Sequence, residues 1–328
     1  MKVKEAKTFD EQIKILQRRG LKINNVDEAK LFLKNTNYYR FTAYLIDYKL
    51  NGKSEKNKSV TFGRDLNKSK AKIININRYK QGTDFEYIKN IYMFDQEIKN
   101  LILSILEKLE ISFKTYIAYT LAHGTGPLGY LDYRSFLDDS IIGRPSINKK
   151  KYKKNIKQQH YRFMQEVKKS IRYNKDKKYI KHHKIKYEGN YPIWVLVEIL
   201  TFGNISMLYS NLKKKDKQFI KNEMCNVPIP LTEQWIYMLS KLRNDCAHYE
   251  RLYSISLPDI LIHDRYKGKN YDKNSLFAYL LAIKDLIYSI GTWNDFISEL
   301  NNIITKYYYF IDLKKIGFPE DWFEVLSK

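Results

Sequence analysis

The sequence predicts an all-α protein. Gly and Pro together fill 20 of 328 positions, roughly half the usual share, so chain breakers are scarce. Apolar residues recur at spacings of three and four through several stretches, and at 44% hydrophobic the chain can bury a large core. Thr8 with Glu11 three residues later forms a capping-box pattern for a first helix carrying Ile13 and Leu16, closed by Gly20. Asp27 is the expected cap of a second, carrying Ala29, Leu31, Phe32 and Leu33 and running into NYYRFTAYLIDY. Asn51 to Ser69, with Gly52 and Gly63, is polar and reads as a loop or linker. A long helix follows from about Phe85 to Ala122, broken by HGTGPLGYLDY. Pro192 opens a single apolar helix, PIWVLVEILTFGNISMLY; further helices hold WIYMLSKLRNDCAHYERLY and LFAYLLAIKDLIYSI. The expected division is residues 1–84, an N-terminal helical region with its linker, and 85–328, a helical domain interrupted by a basic insertion at about 145–188.

Charge narrows the function. Lys plus Arg number 59 against 36 acids, a net +23 that points to a polyanionic partner. Part of it reflects composition, since Lys outnumbers Arg 47 to 12 and Ile, Asn and Tyr are abundant. Clustering is harder to explain that way: residues 148–187 hold sixteen Lys or Arg against Glu166 and Asp176, so 40 residues carry +14. Lys149, Lys150, Lys151, Lys153, Lys154 and Lys157 open this run; Arg162, Lys168, Lys169 and Arg172 continue it, interleaved with Tyr and Phe. That mixture suits phosphate contacts with base stacking in RNA; a solvated insertion is the plainer alternative. Two cysteines, Cys225 and Cys246, make neither a disulfide framework nor a zinc site and fit a reducing cytoplasm. MKVKEAKTFDEQ lacks the apolar run of a signal peptide, and the most apolar stretch, Ile193 to Phe202, is ten residues with Glu198 inside, so no membrane partner is expected. No cofactor or metal is expected either. Gly124, Gly126 and Gly129 match G-x-G-x-x-G but follow a helix, which fits a helix end and turn rather than a phosphate loop. His182 and His183 have no third ligand at metal spacing.

The informative helix is expected from Trp235 to Tyr253. Trp235, Leu239, Leu242, Cys246, Tyr249 and Tyr253 fall within about 40° of one line, a core stripe. Asn244, His248 and Arg251 form a second stripe about 140° to 200° away, with Arg243 on the flank. A histidine beside an amide and two guanidinium groups is a sufficient set for metal-free RNA cleavage: His248 moving a proton, Arg243 and Arg251 clamping the phosphate, Asn244 orienting His248 or the ribose. The same stripe equally suits an ordinary solvated helix face. One histidine is half of an acid–base pair, so the catalytic reading requires a homodimer in which two such helices meet across a two-fold axis.

RNDCAH, Arg243 to His248, resembles the R-x4-H signature of HEPN-superfamily ribonucleases, and RNDCAHYERLY resembles its form in the Abi-like (AbiD/AbiF) abortive-infection family. Other similar blocks stand in order: TFDEQIKILQRRGLKI, NYYRFTAY, IYMFDQEIKNLILSILEKLEISFKTYIAY, YPIWVLVEILTFGNISMLYSNL and GFPEDW. The resemblance implies a HEPN helical bundle dimerising through the motif helices, metal-independent endoribonuclease chemistry, anti-phage defence and association with a structured small noncoding RNA. It implies Arg243 and His248 as motif positions, Asn244 as the polar residue after the arginine and Arg251 as a family arginine to which it assigns no fixed role. Glu110 resembles a recurrent acid that pairs either with a motif arginine or in an ordinary salt bridge, with Lys114 nearby. Where some HEPN toxins carry a modifiable tyrosine two residues after the histidine, this chain has Glu250. An RNA-binding protein that sequesters or presents a noncoding RNA without cutting is the alternative from a different class.

Overall fold

The computed structural model describes residues 5–50, 78–287 and 289–328; the polar stretch expected to be a loop at Asn51 to Ser69 lies outside them. The described residues form fourteen α-helices and no β-strand, the all-α class expected. They divide into two compact units, Met1–Gln96 with Ile304–Ile311, and Glu97–Ile303 with Asp312–Lys328.

In the first unit, α1 (Phe9–Arg18) starts from the expected capping box, with Thr8 accepting from the Glu11 N–H and Glu11 accepting from the Thr8 N–H. Ile13 and Leu16 are buried, and Gly20 turns the chain with φ of 92°. The cap of α2 (Val26–Asn35) is Asn25, not Asp27. Asn25 Oδ1 accepts from the Glu28 N–H at 3.1 Å, which leaves Asp27 in the first turn, where its charge suits the helix dipole. Ala29 and Leu33 are buried, while Leu31 is exposed. After α3 (Tyr38–Tyr44), α4 (Phe85–Thr125) begins, and Phe32 packs edge-on to Phe41, Phe85 and Tyr92.

In the second unit, α4 buries Ile98, Ile102, Ile105, Leu109, Phe113 and Ile117, the three-and-four spacing of a core stripe. It ends at Thr125, and Gly126 follows with φ of 84°, so the glycine triad is a helix end and turn. Next come α5 (Asp139–Ile142), α6 (Lys149–Tyr173), α7 (Lys178–Lys186), α8 (Ile193–Leu196), α9 (Phe202–Asn211) and α10 (Lys214–Ile220). The single helix expected after Pro192 is broken. Leu200 is extended, and Thr201 and Asn204 exchange side-chain and backbone hydrogen bonds in a new capping box that restarts the chain as α9. The remaining helices are α11 (Ile229–Ala247), α12 (Leu276–Leu286), α13 (Ile290–Tyr307) and α14 (Trp322–Ser327). No helix among the described residues is long and apolar enough to cross a membrane.

Asp138 joins two of these elements. Its carboxylate caps α5 through the Ser140 N–H at 2.9 Å and accepts from the Lys214 N–H, at the start of α10, at 2.6 Å. Burial pushes this carboxyl up, but the donors of Ser140 and Lys214 outweigh burial and hold it below its ordinary value. A depressed folded-state pKa gives stability that is present above the ordinary carboxylate range and is lost as pH falls through it. Asp138→Ala is expected to lower stability by about 2 kcal/mol at pH 7, one cap and one further hydrogen bond. The deficit should shrink at pH 3 to 4, as thermal unfolding at both pH values would show.

Candidate nucleic-acid interface and catalytic cluster

The core stripe of α11 holds over its helical length, with Trp235, Leu239, Leu242 and Cys246 all buried. The helix ends at Ala247, six residues before the expected end. Its closure is a Schellman motif: the Glu250 N–H donates to the Asp245 carbonyl at 2.8 Å and the Tyr249 N–H to Cys246 at 3.1 Å. The residue between, Tyr249, adopts φ of 60°, a position glycine usually takes, at a cost of roughly 1–2 kcal/mol for an L residue. Tyr249 is accordingly exposed rather than part of the core stripe, whereas Tyr253 is buried from beyond the helix.

His248 is the C-cap, its N–H bonded to the Asn244 carbonyl at 2.9 Å, so it sits one turn above Asn244; both side chains are exposed. Arg243 is half-buried and its Nη1 donates to Asn244 Oδ1 at 3.5 Å. Its Nε lies 3.8 Å from Glu110 on α4, a buried carboxylate also paired with Lys114 at 2.9 Å. Glu110 thus meets both partners that its sequence context offered, Lys114 closely and the motif arginine at longer range. Arg251 does not share a helical stripe with Asn244 and His248, because the helix has ended; its Nη2 donates to the Ser254 carbonyl at 3.3 Å. Under the turn, Lys99 of α4, only 1% exposed, donates to the Glu250 carbonyl at 3.2 Å.

The basic segment forms two helices. In α6, Phe163 and Val167 are buried and Tyr152, Ile156 and His160 are partly so, giving an inner face packed on α9 and on the turn Tyr133–Phe136. His160 Nε2 lies 2.9 Å from the Tyr130 carbonyl, which fixes the helix further. All sixteen Lys and Arg of residues 148–187 are exposed, including Lys149, Lys150, Lys151, Lys153, Lys154, Lys157, Arg162, Lys168, Lys169 and Arg172. Lys149, Lys150 and Lys151 fill the first turn of α6, with no acid there. Cations at the positive end of a helix oppose its dipole, at about 0.3–1 kcal/mol each, so this arrangement favours an external anion over stability. The N-terminal half of α6 shares a cavity with Pro228, Ile229 and Pro230 at the start of α11. His248 is at the other end of α11, about 28 Å along the axis for its 19 residues. The N-terminal half of the basic helix α6 thus lies at the opposite end of α11 from His248. No group of three His, Cys, Asp or Glu among the described residues is placed to hold a metal ion.

Residues 31–254 match the family model described as Abi-like protein. The chain belongs to the Abi-like protein family. That places it among abortive-infection proteins, which act in antiviral defence. The matched span contains the basic helices, Glu110 and the whole cluster from Arg243 to Arg251, and it ends just past the turn that closes α11. No curated protein and no solved structure matches the chain. In this Abi-like protein two elements of the cluster escape sequence reasoning: Lys99 beneath the turn and Tyr249 within it. Lys99 carries one signal, a lysine on the buried stripe side of α4; Tyr249 carries none, since nothing local distinguishes a tyrosine that will take a left-handed conformation.

Proposed function

We propose that this Abi-like protein is a HEPN-type, metal-independent endoribonuclease of abortive infection that acts as a homodimer and carries a structured small noncoding RNA on its basic helices. The observation that supports the chemistry is the exposed C-cap His248 one turn above Asn244, beside an Arg243 whose Nε lies 3.8 Å from buried Glu110. His248 removes the proton of a ribose 2′-hydroxyl, the 2′-oxygen attacks the adjacent phosphorus, and the 5′-oxygen leaves. Arg243 stabilises the charge that develops on the phosphoryl oxygens, and Asn244 orients Arg243 or the ribose. The leaving oxygen needs a proton, and His248 of a second copy supplies it when two α11 ends face each other. Arg251, in the turn after α11, supplies an outer phosphate contact.

The alternative, a non-catalytic carrier of a noncoding RNA, draws on the lysines at the positive end of α6, which need only a polyanion. The two separate in one assay. RNA incubated with the purified full chain in excess chelator is expected to be cut as fast as without chelator. Loss of cutting in chelator would contradict the metal-free mechanism, and no cutting in either buffer would favour the carrier.

A further inference from the structure

A second site lies far from His248. At the start of α11, a cavity of about 570 Å³ opens between α5, α6, α9, α10 and residues 228–230, within the size range of small-molecule sites, roughly 300–1,000 Å³. Much of its wall is apolar, with Phe136, Tyr152, Ile156, Ile229 and Pro230 among the lining residues. Arg144, Lys214 and Lys221 also line the cavity. Lys217, by contrast, is occupied, with its Nζ bonded to the Ser210 carbonyl at 2.8 Å and to Glu233 at 2.9 Å. Asn211, 5% exposed, lines the same cavity, and its side-chain Nδ2 is buried without a hydrogen-bond partner. A buried amide donor left unmade costs about 1–3 kcal/mol, which is recovered when a ligand acceptor reaches it. The Asp138 carboxylate, bonded to Ser140 and to the Lys214 N–H, stands on the same wall.

We infer that this cavity binds one nucleotide, with its base against the apolar walls, a base acceptor on the Asn211 amide and its phosphate on Arg144, Lys214 and Lys221. Apolar walls take the base faces, the unpartnered Asn211 amide reads an edge, and the cations meet the phosphate. The first turn of α6, with Lys149 to Lys151, lies one helical turn from Tyr152, so a nucleotide borne by an RNA on that helix and a free nucleotide are both within reach. The site goes beyond the ribonuclease reading, because it needs neither His248 nor a second copy of the chain.

The test measures binding of the four ribonucleoside 5′-monophosphates and the four matching octaribonucleotides by calorimetry to the full chain and to Asn211→Leu, Arg144→Ala and Ile156→Trp. Ile156→Trp fills the cavity from α6 and leaves the buried amide in place, so it serves if Asn211→Leu unfolds. At least one base is expected to bind the wild-type chain and to lose about tenfold or more in each folded variant. An octanucleotide tighter than its monophosphate identifies the RNA-borne source; the reverse order identifies a free nucleotide. Equal binding by wild type and the folded variants, or no binding of any probe, overturns the site. RNA cutting by Ile156→Trp is read in parallel: retained cutting with lost nucleotide binding keeps the two sites distinct, whereas failure of the His248 chemistry alone leaves the nucleotide result standing.

Discussion

His248→Ala is expected to abolish RNA cleavage and growth arrest while leaving RNA binding within about twofold. Losing one general acid–base group lowers a rate by roughly 10²–10⁴-fold, and a two-copy site loses its acid and base together. The fold should not suffer, because His248 is exposed, is the cap residue of a finished helix and contributes only its backbone N–H, bonded to Asn244, to the Schellman closure. A His248→Ala chain that unfolds at the wild-type temperature, binds RNA and does not cut would locate the chemistry at this residue. Full toxicity in that variant would remove the nuclease reading.

Reversing five charges, Lys149, Lys150, Lys151, Lys153 and Lys154 to Glu, is expected to act oppositely: binding collapses and the fold gains. Each lost phosphate contact lowers the log–log slope of affinity against salt by roughly 0.7 to 0.9, and five such losses at low salt weaken binding by several powers of ten. Acids in the first turn of α6 complement its dipole, at about 0.3–1 kcal/mol each, so thermal stability should rise rather than fall. The pairing matters, because lost RNA binding in a more stable protein cannot come from unfolding. An unchanged slope would mean that the cluster is a solvated face of compositional origin.

What the sequence made legible follows from the range of the interactions involved. The buried stripe of α11 was readable through Cys246 because helical periodicity is local, as was the Thr8–Glu11 capping box, whose two partners are three residues apart. The end of α11 was not, because its stop signal is a tyrosine in a left-handed conformation where a glycine would have announced it. The early end takes Arg251 off the expected stripe and leaves Asn244 and His248 one turn apart. Thr201 and Asn204 were hidden inside an apolar run, where periodicity outweighs two polar residues unless their mutual bonding is known. The Glu110–Arg243 contact joins residues more than a hundred positions apart, so only folding could add the arginine to the local partner Lys114. The inner face of α6 was masked by its lysines: Phe163 and Val167 anchor a helix whose composition looks wholly solvated.

The end groups of RNA cut by the full wild-type chain in excess chelator decide whether a ribose 2′-oxygen is the nucleophile. Attack by the neighbouring 2′-oxygen leaves a 2′,3′-cyclic phosphate on one fragment and a 5′-hydroxyl on the other, and mass spectrometry distinguishes these ends from those of water attack. Cyclic phosphate and 5′-hydroxyl ends that vanish with His248→Ala are expected; 3′-hydroxyl and 5′-phosphate ends, or cutting that chelator stops, would rule out metal-free cleavage by His248.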